Sequence, residues 1–122
     1  MTVATIEEQV RNILLDTDES NYRFTEKEIY LALKQGISEV RRLRPESRYV
    51  NCLLTDFTLN VPQQAPAGGW SQFATTEIMM DEFWMHALVC YVVYRMYLKD
   101  DSDTQNANLA KTYLNTFNSE VA

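Results

Sequence analysis

The stretch Asp81–Lys99, DEFWMHALVCYVVYRMYLK, decides the fold of this chain. Between Phe83 and Leu98 only His86 and Arg95 interrupt the apolar residues, so a helix here is apolar around nearly its whole circumference. Such a helix is stable only when its neighbours bury it on several sides. At about 1.5 Å per residue it is roughly 28 Å long, close to the diameter of a small domain. We therefore expect it to form the centre of the core.

Length and composition favour one folded domain. The chain has 122 residues, which is enough for a core without disulfides or metals. Hydrophobic residues make up 46% and charged residues 23%, which argues against extensive disorder. The formal net charge of −6 at pH 7 disfavours a surface that binds nucleic acid tightly. We therefore predict a single domain over residues 1–122 that does not bind DNA tightly.

No stretch predicts export or insertion into a membrane. The N-terminal sequence MTVATIEEQVRN carries acidic residues where a secretory signal has basic ones. The apolar run Phe83–Leu98 is shorter than the about 20 residues needed to cross a bilayer. Cys52 and Cys90 are too few and too far apart for a disulfide framework or a zinc site. We therefore expect synthesis in the cytoplasm, reduced thiols and no membrane partner.

Capping boxes and apolar periodicity predict four helices. A capping box is a Ser or Thr followed three residues later by Glu or Gln, and it marks a helix start. The sequence has three such pairs, at Thr5 and Glu8, Thr25 and Glu28, and Ser102 and Gln105. With the central stretch added, the predicted helices lie at about 5–15, 25–43, 78–99 and 103–119.

The second predicted helix has two further markers. Arg44 precedes Pro45, and the residue before a proline is pushed out of the helical region, so this helix should end near Leu43. Gly36 lies among its apolar turns and indicates the close approach of another helix.

Residues 48–76 are predicted to form a small β-hairpin followed by a loop. Apolar and polar residues alternate over 57–61, which is typical of a half-buried strand, and residues 49–54 are its predicted partner. The reversal is expected near Thr55 and Asp56. Residues 62–76 are rich in Pro, Gly, Gln and Ser and are predicted to be a loop. The predicted fold class is mainly α: a four-helix bundle-like domain with this insertion.

Two aromatic residues in that loop are candidate interface residues. Trp70 and Phe73 are large apolar side chains in an otherwise polar stretch, so they require a surface to contact. They either fold back onto the helices or contact another subunit, because exposed aromatic residues commonly anchor interfaces.

The basic residues around the C-terminal end of the second helix are the other candidate. This cluster consists of Arg41, Arg42, Arg44 and Arg48. Positive charge at a helix C-terminus is favoured by the helix dipole, which explains the cluster without a partner. The alternative is an electrostatic contact with an acidic partner.

Arg95 lies inside the central apolar helix, where a charge requires a partner. We expect that partner to be Glu28, Asp81 or a residue of a neighbouring subunit.

The sequence predicts no catalytic site. His86 is the single histidine, which excludes sites that require two, and we expect it at the core or its boundary. Cys90 follows one helical turn later, yet no residue is placed to orient the imidazole as a base for the thiol. The pair Gly68-Gly69 lacks the lysine of a phosphate-binding loop. We expect no enzyme and no cofactor.

The acidic runs do not fit a calcium loop. Asp16 and Asp18 have the first spacing of an EF-hand, but its sixth and twelfth positions are Asn21 and Lys27 instead of glycine and glutamate. The run from Asp101 fails at the same positions. We expect solvated turns there and no metal site.

Two stretches resemble a known family when they are taken together. They are YRFTEKEIYLALKQGISEVRRLRPESR, residues 22–48, and ALVCYVVYRMYLKDDSDTQNANLAKTYLNTF, residues 87–117. In both order and spacing they resemble the head-to-tail adaptor (connector) proteins of tailed bacteriophages. The shared features are Phe24, Glu26, Glu28, Arg44, Pro45 and Glu46 in the first stretch, and Tyr94, Arg95, Lys99, Asp100, Asn106, Ala110, Tyr113 and Phe117 in the second.

The resemblance implies a structural role in the virion. Such a protein forms a homo-oligomeric ring, expected to be a dodecamer, in the neck between head and tail. The portal protein lies on one side of it and a tail or nozzle protein on the other. Genomic DNA passes through the lumen without specific binding, which an acidic channel favours. A ring of identical subunits requires two different complementary patches, for which Trp70 with Phe73 and the arginine cluster are the candidates.

The alternative is a small acidic helical regulator, such as an inhibitor that mimics DNA and binds a basic partner. Its carboxylates would have to line one surface at phosphate-like spacing. The acids at Glu7, Glu8, Glu26 and Glu28 lie in the first turns of predicted helices, where the helix dipole already favours them.

Overall fold

Five α-helices and a two-stranded hairpin make up the part of the chain that a computed structural model describes, residues 1–18, 22–55, 57–99 and 104–122. The helices are α1 Val3–Leu14, α2 Glu26–Leu43, α3 Trp70–Ala74, α4 Met85–Lys99 and α5 Thr104–Val121. The strands are β1 Tyr49–Val50 and β2 Leu53–Leu54, and short 3₁₀ turns cover Pro45–Arg48 and Glu82–Trp84. The predicted mainly α fold with a small hairpin is confirmed.

Helix α4 forms the centre of the core, as its sequence predicts. It packs against α5, α2 and α1, and every residue from Ala87 to Val93 is buried. Burial of each large apolar side chain is worth about 1.5–3 kcal/mol, so these contacts dominate the stability of the fold. Within the described residues, no helix is long and apolar enough to span a membrane.

Helix α1 begins earlier than predicted. Its N-cap is Thr2, whose Oγ1 accepts a hydrogen bond from the backbone N–H of Thr5 at 3.2 Å, so the predicted start at the Thr5–Glu8 capping box is wrong. The reason lies in a distant segment. The N–H of Val3 donates to the carbonyl of Thr76 at 3.1 Å, which holds the first residues of the chain in place and lets the helix start at once.

Helix α2 has the predicted ends. The N–H of Glu28 donates to Thr25 Oγ1 at 3.2 Å, and the helix ends at Leu43. A Cβ atom on Gly36 would lie 3.0 Å from Cδ1 of Tyr91 in α4, so the predicted close approach of another helix is also confirmed.

The hairpin differs from the predicted one. Tyr49 pairs with Leu54 and Val50 with Leu53, and the turn is Asn51–Cys52, with φ angles of 51° and 66°. Two positive φ angles are the mark of a type I′ hairpin turn. The predicted strand at 57–61 and the reversal near Thr55 are therefore wrong, while Asp56 lies outside the described residues.

The alternation over 57–61 has another cause. Leu59 is buried and its neighbours Thr58 and Asn60 are exposed, so the period of two does reflect burial. The segment runs along α2, where Arg41 Nη1 donates to the carbonyl of Phe57. The carbonyl of Phe57 is thus satisfied by a helix side chain and not by a paired strand.

The last two helices also differ in their bounds. Residues 78–84 precede α4 and are not α-helical, because Ile78 is held in an extended segment whose N–H donates to the carbonyl of Met1 at 2.9 Å. The predicted start at 78 is therefore wrong. Helix α5 extends to Val121, and its residues Ala110, Phe117 and Val121 are buried. The predicted cap at Ser102 lies outside the described residues.

Candidate functional site

The two loop aromatics fold back onto α2. Trp70 and Phe73 lie on α3 with their ring centroids 5.5 Å and 5.1 Å from that of Tyr30. Helix α3 follows Gly69, whose φ of 78° lies in the left-handed region that favours glycine. Trp70 and Phe73 are both partly buried against the core, so each retains some exposed surface. The structure thus brings the two residues together at the N-terminal half of α2.

A buried ion-pair network lies next to the cluster of Tyr30, Trp70 and Phe73. Arg11 is only 4% exposed, and its Nε and Nη1 donate to Glu7 Oε2 and Asp16 Oδ2, each at 2.9 Å. Glu7 Oε1 accepts a hydrogen bond from the Tyr30 hydroxyl at 2.7 Å. Burial and this hydrogen bond raise the pKa of Tyr30, since both disfavour the phenolate. The network ties α1 to α2 beneath Trp70.

Asp16 is a structural residue and not a solvated one. It is 6% exposed, and its carboxylate also accepts hydrogen bonds from the backbone N–H groups of Arg23 at 2.8 Å and Phe24 at 3.0 Å. The predicted solvated turn is therefore wrong at this position. The Arg11 guanidinium and these two backbone N–H groups together offset the free-energy cost of burying the Asp16 carboxylate.

A groove opens above this network, and we call it the acidic groove. Its volume is about 630 Å³, and its walls include Glu7, Glu8, Glu26, Tyr22, Tyr30 and Trp70. Three carboxylates but only one guanidinium, that of Arg11, line it within the described residues. The Arg11 guanidinium lies 3.5 Å from the centroid of the Tyr22 ring. The groove therefore combines negative charge with aromatic surface.

A second groove lies at the other end of α2, and we call it the basic groove. Its volume is about 590 Å³, and its walls carry the charged residues Lys34, Arg41, Arg42 and Arg48. The structure thus brings together three of the four predicted arginines. Lys34 was missed as a partner, although it lies seven and eight residues before Arg41 and Arg42 and so shares their helix face.

The four arginines differ in their contacts. Arg42 pairs with Glu39 at 2.8 Å, and Arg41 donates to the carbonyl of Phe57. Arg44 does not line the groove, because its Nε donates to the carbonyl of Val121. Arg48 is exposed, and its side chain makes no hydrogen bond or ion pair within the described ranges.

Arg95 does not pair with the acids expected for it. Glu28 pairs instead with Lys99 at 3.5 Å, and no carboxylate among residues 1–18, 22–55, 57–99 and 104–122 forms an ion pair with Arg95. Its guanidinium lines a shallow pocket beside Tyr91 and Glu39. Burial raises the pKa of Tyr91 despite the opposing effect of the Arg95 charge.

His86 is exposed, contrary to the expectation of a core or boundary position. Its side chain is 63% exposed, and Nδ1 lies 3.2 Å from Glu120 Oε1 on α5. Cys90 Sγ lies 3.7 Å from His86 Nε2, so the three residues have the order of a nucleophile, a base and an orienting acid.

The chemistry of this trio does not fit catalysis. Cys90 is 2% exposed, and burial together with the nearby charge of Glu120 raises the pKa of its thiol. A catalytic cysteine requires the opposite, a lowered pKa and access for a substrate. His86 and Glu120 are better understood as an exposed link between α4 and α5.

In the described portion, no three His, Cys, Asp or Glu side chains form a group that could hold a metal ion. Comparison of the chain with family models, curated proteins and solved structures gives no match.

Proposed function

We propose that this chain is a head-to-tail adaptor of a tailed bacteriophage, a non-enzymatic virion protein that forms a ring between portal and tail. The support from sequence is the resemblance of residues 22–48 and 87–117 to that family. In the fold these residues supply α2, α4 and α5, three of the four helices around the core.

The observation that carries the proposal is the pair of oppositely charged grooves. A ring of identical subunits is built from heterologous contacts, so each subunit presents two different and complementary patches. The acidic groove lies at the Glu26 end of α2 and the basic groove at the Arg42 end. Arg42 lies sixteen positions after Glu26, a distance of about 24 Å along the axis. Two distinct surfaces of opposite charge at the two ends of one helix support the proposal of heterologous contacts.

The net charge of −6 suits the passage of DNA through such a ring. A protein that neutralises few phosphates releases few counterions, so it does not hold the DNA backbone. The partners in this proposal are the portal protein, a tail or nozzle protein and further copies of the chain. In this proposal the chain is synthesised in the host cytoplasm and acts in the neck of the virion.

The alternative, an acidic regulator or a DNA mimic, has weaker support. A DNA mimic displays carboxylates to its partner as DNA displays phosphates. Glu7 and Asp16 do not do so, because both pair with the buried Arg11. Two of the negative charges near the acidic groove are thus used within the fold.

The test is assembly of the purified chain, alone and with the portal protein encoded in the same genome. Mass photometry and negative-stain electron microscopy should show an annular particle, of about 170 kDa for twelve copies of a 14.2 kDa chain, or its docking to the portal. A DNA mimic would instead remain small and bind a basic protein. A monomer that is indifferent to the portal would contradict the adaptor proposal.

A further inference from the structure

The hairpin exposes apolar side chains that nothing in the described chain covers. Tyr49, Leu53 and Leu54 are 49%, 71% and 60% exposed. An isolated two-stranded hairpin is marginally stable in water, and its edges present unpaired backbone N–H and C=O groups. Apolar side chains on such an edge are typical of a surface that another chain covers.

A free positive charge adjoins these side chains. Arg48 immediately precedes β1 and lines the basic groove, and its guanidinium is exposed and unpaired within the described residues. We call Arg48, Tyr49, Leu53 and Leu54 the hairpin patch. It is apolar, carries one unpaired cation and has free strand edges.

The acidic groove has the complementary features. Glu8 is exposed and forms no ion pair in the described parts of the chain, and it lines the groove together with Tyr22 and Trp70. Arg11 Nη2 is buried and has no acceptor among the described residues.

The two surfaces cannot meet within one copy. The hairpin patch follows the C-terminal end of α2, whereas the acidic groove includes Glu26 and Tyr30 in its first two turns. The length of α2, about 27 Å for its 18 residues, lies between them. The complementary surface must therefore come from another molecule, and a second copy of this chain carries it.

We infer that the hairpin patch of one copy docks into the acidic groove of the next copy, with Arg48 opposite Glu8 and the hairpin side chains against Tyr22 and Trp70. The contact is heterologous, so each copy uses its patch on one neighbour and its groove on the other. This inference rests on the proposed ring and specifies the contact that closes it.

Charge reversal tests the contact. Glu8→Arg and Arg48→Glu each place like charges opposite one another, which should raise the concentration for half-maximal assembly at least about tenfold. Glu82→Arg and Lys111→Glu make the same changes in net charge at exposed positions outside both surfaces, and they should assemble as the wild type does. Circular dichroism of each variant verifies that its helices are intact.

Mixing the two single variants gives the sharper result. The Glu8→Arg variant has arginine at both positions and the Arg48→Glu variant has glutamate at both. An equimolar mixture therefore restores every opposite-charge contact in a ring whose copies alternate. We expect each variant alone to remain small and the mixture to form rings, as should the double variant Glu8→Arg, Arg48→Glu.

Disulfide cross-linking through the turn residue Cys52 distinguishes a heterologous contact from a reciprocal dimer. Cys52 is an exposed free thiol at the hairpin tip, and Asn12→Cys places a second thiol on the wall of the acidic groove. Oxidation should give a ladder of linked multimers on a denaturing gel, because each copy links to two neighbours. A reciprocal dimer would give only dimers, and adding Cys52→Ser should abolish the ladder.

The outcomes separate this inference from the proposed function. A wild-type ring that is unaffected by both charge reversals, or a dimer-only cross-link, would overturn the hairpin contact and leave the ring intact. A wild-type chain that stays monomeric with and without portal would overturn both. Rings in the mixture together with a cross-linked ladder would establish the contact.

Discussion

Helix α4 and the hairpin use apolar side chains in opposite ways. From Ala87 to Val93 every residue of α4 is buried, whereas Leu53 and Leu54 of the hairpin are 71% and 60% exposed. The buried apolar residues of α4 stabilise the fold, because the residues that they contact lie in the same chain. In the proposed ring, the exposed apolar residues of the hairpin contact a neighbouring copy. Substitutions in the two regions should therefore separate stability from assembly.

The largest effect on stability should come from the centre of α4. Leu88 is fully buried, so Leu88→Ala should lower the free energy of unfolding by about 2–5 kcal/mol, through lost burial and the cavity left behind. Thermal or urea denaturation measures the change. Leu98→Ala, at a position that is 41% exposed on the same helix, is the matched control and should cost much less. Equal losses would mean that α4 is not the centre of the core.

Tyr30 belongs to neither region and lies in the wall of the acidic groove, where it packs against Trp70 and donates to Glu7. Tyr30→Phe keeps the ring and removes a hydrogen bond to a charged group, so it should cost about 1.5–3 kcal/mol at neutral pH. The folded state raises the pKa of Tyr30 above its usual value of 10.0. The stability that Tyr30 contributes is therefore present below pH 10 and is lost as the pH rises above it.

The pH dependence distinguishes this role of the Tyr30 hydroxyl from a packing role. Urea denaturation from pH 7 to 11 should show the two proteins converging at the alkaline end, and ultraviolet titration should show one more tyrosine that resists ionisation in the folded wild type than in the Tyr30→Phe variant. A gap that stays constant across this range would contradict the role of the hydroxyl.

Trp70→Ala should affect stability and assembly together. The ring contacts with Tyr30 and Phe73 are worth about 0.5–1.5 kcal/mol each, so a modest loss of stability is expected while the monomer remains helical by circular dichroism. Ring formation or portal assembly should weaken as well. Phe83→Ala is the control, since that ring is 76% exposed and lies outside the acidic groove. Unaltered assembly would count against the loop as an interface.

The smallest effect on stability should come from the hairpin. Leu53→Ser combined with Leu54→Ser changes exposed side chains and should alter the free energy of unfolding by less than about 0.5 kcal/mol per site. The same variant should lose ring assembly by mass photometry. Met79→Ser, at a position that is 45% exposed outside the hairpin, should assemble normally. Normal rings from the hairpin variant would show that Leu53 and Leu54 take no part in the subunit contact.

Local rules predict the parts of this fold that local interactions decide. The cap at Thr25, the end of α2 before Pro45 and the contact at Gly36 all follow from nearby residues. The start of α1 does not, because its position depends on a hydrogen bond to Thr76. The alternation over 57–61 predicts burial correctly but not strand pairing, because a period of two does not show whether another strand pairs with the segment.

The candidate site was only partly visible in the sequence. Trp70 and Phe73 were identifiable as aromatic residues in a polar loop, but their contact with Tyr30 depends on the tertiary fold. Arg11 was missed, although its spacing of four residues from Glu7 is a recognisable helical ion pair. No sequence pattern indicates that Glu120 lies beside His86, because the packing of α5 against α4 brings together two residues that are distant in the sequence.

Cryo-electron microscopy of the assembly that the purified chain forms, alone or on its portal, tests the central claim most directly. The account predicts a closed ring in which the Asn51–Cys52 turn of each copy enters the acidic groove of its neighbour, with Arg48 near Glu8. A chain that remains monomeric under both conditions would contradict the ring. A ring whose hairpins point away from the neighbouring grooves would contradict the contact proposed to close it.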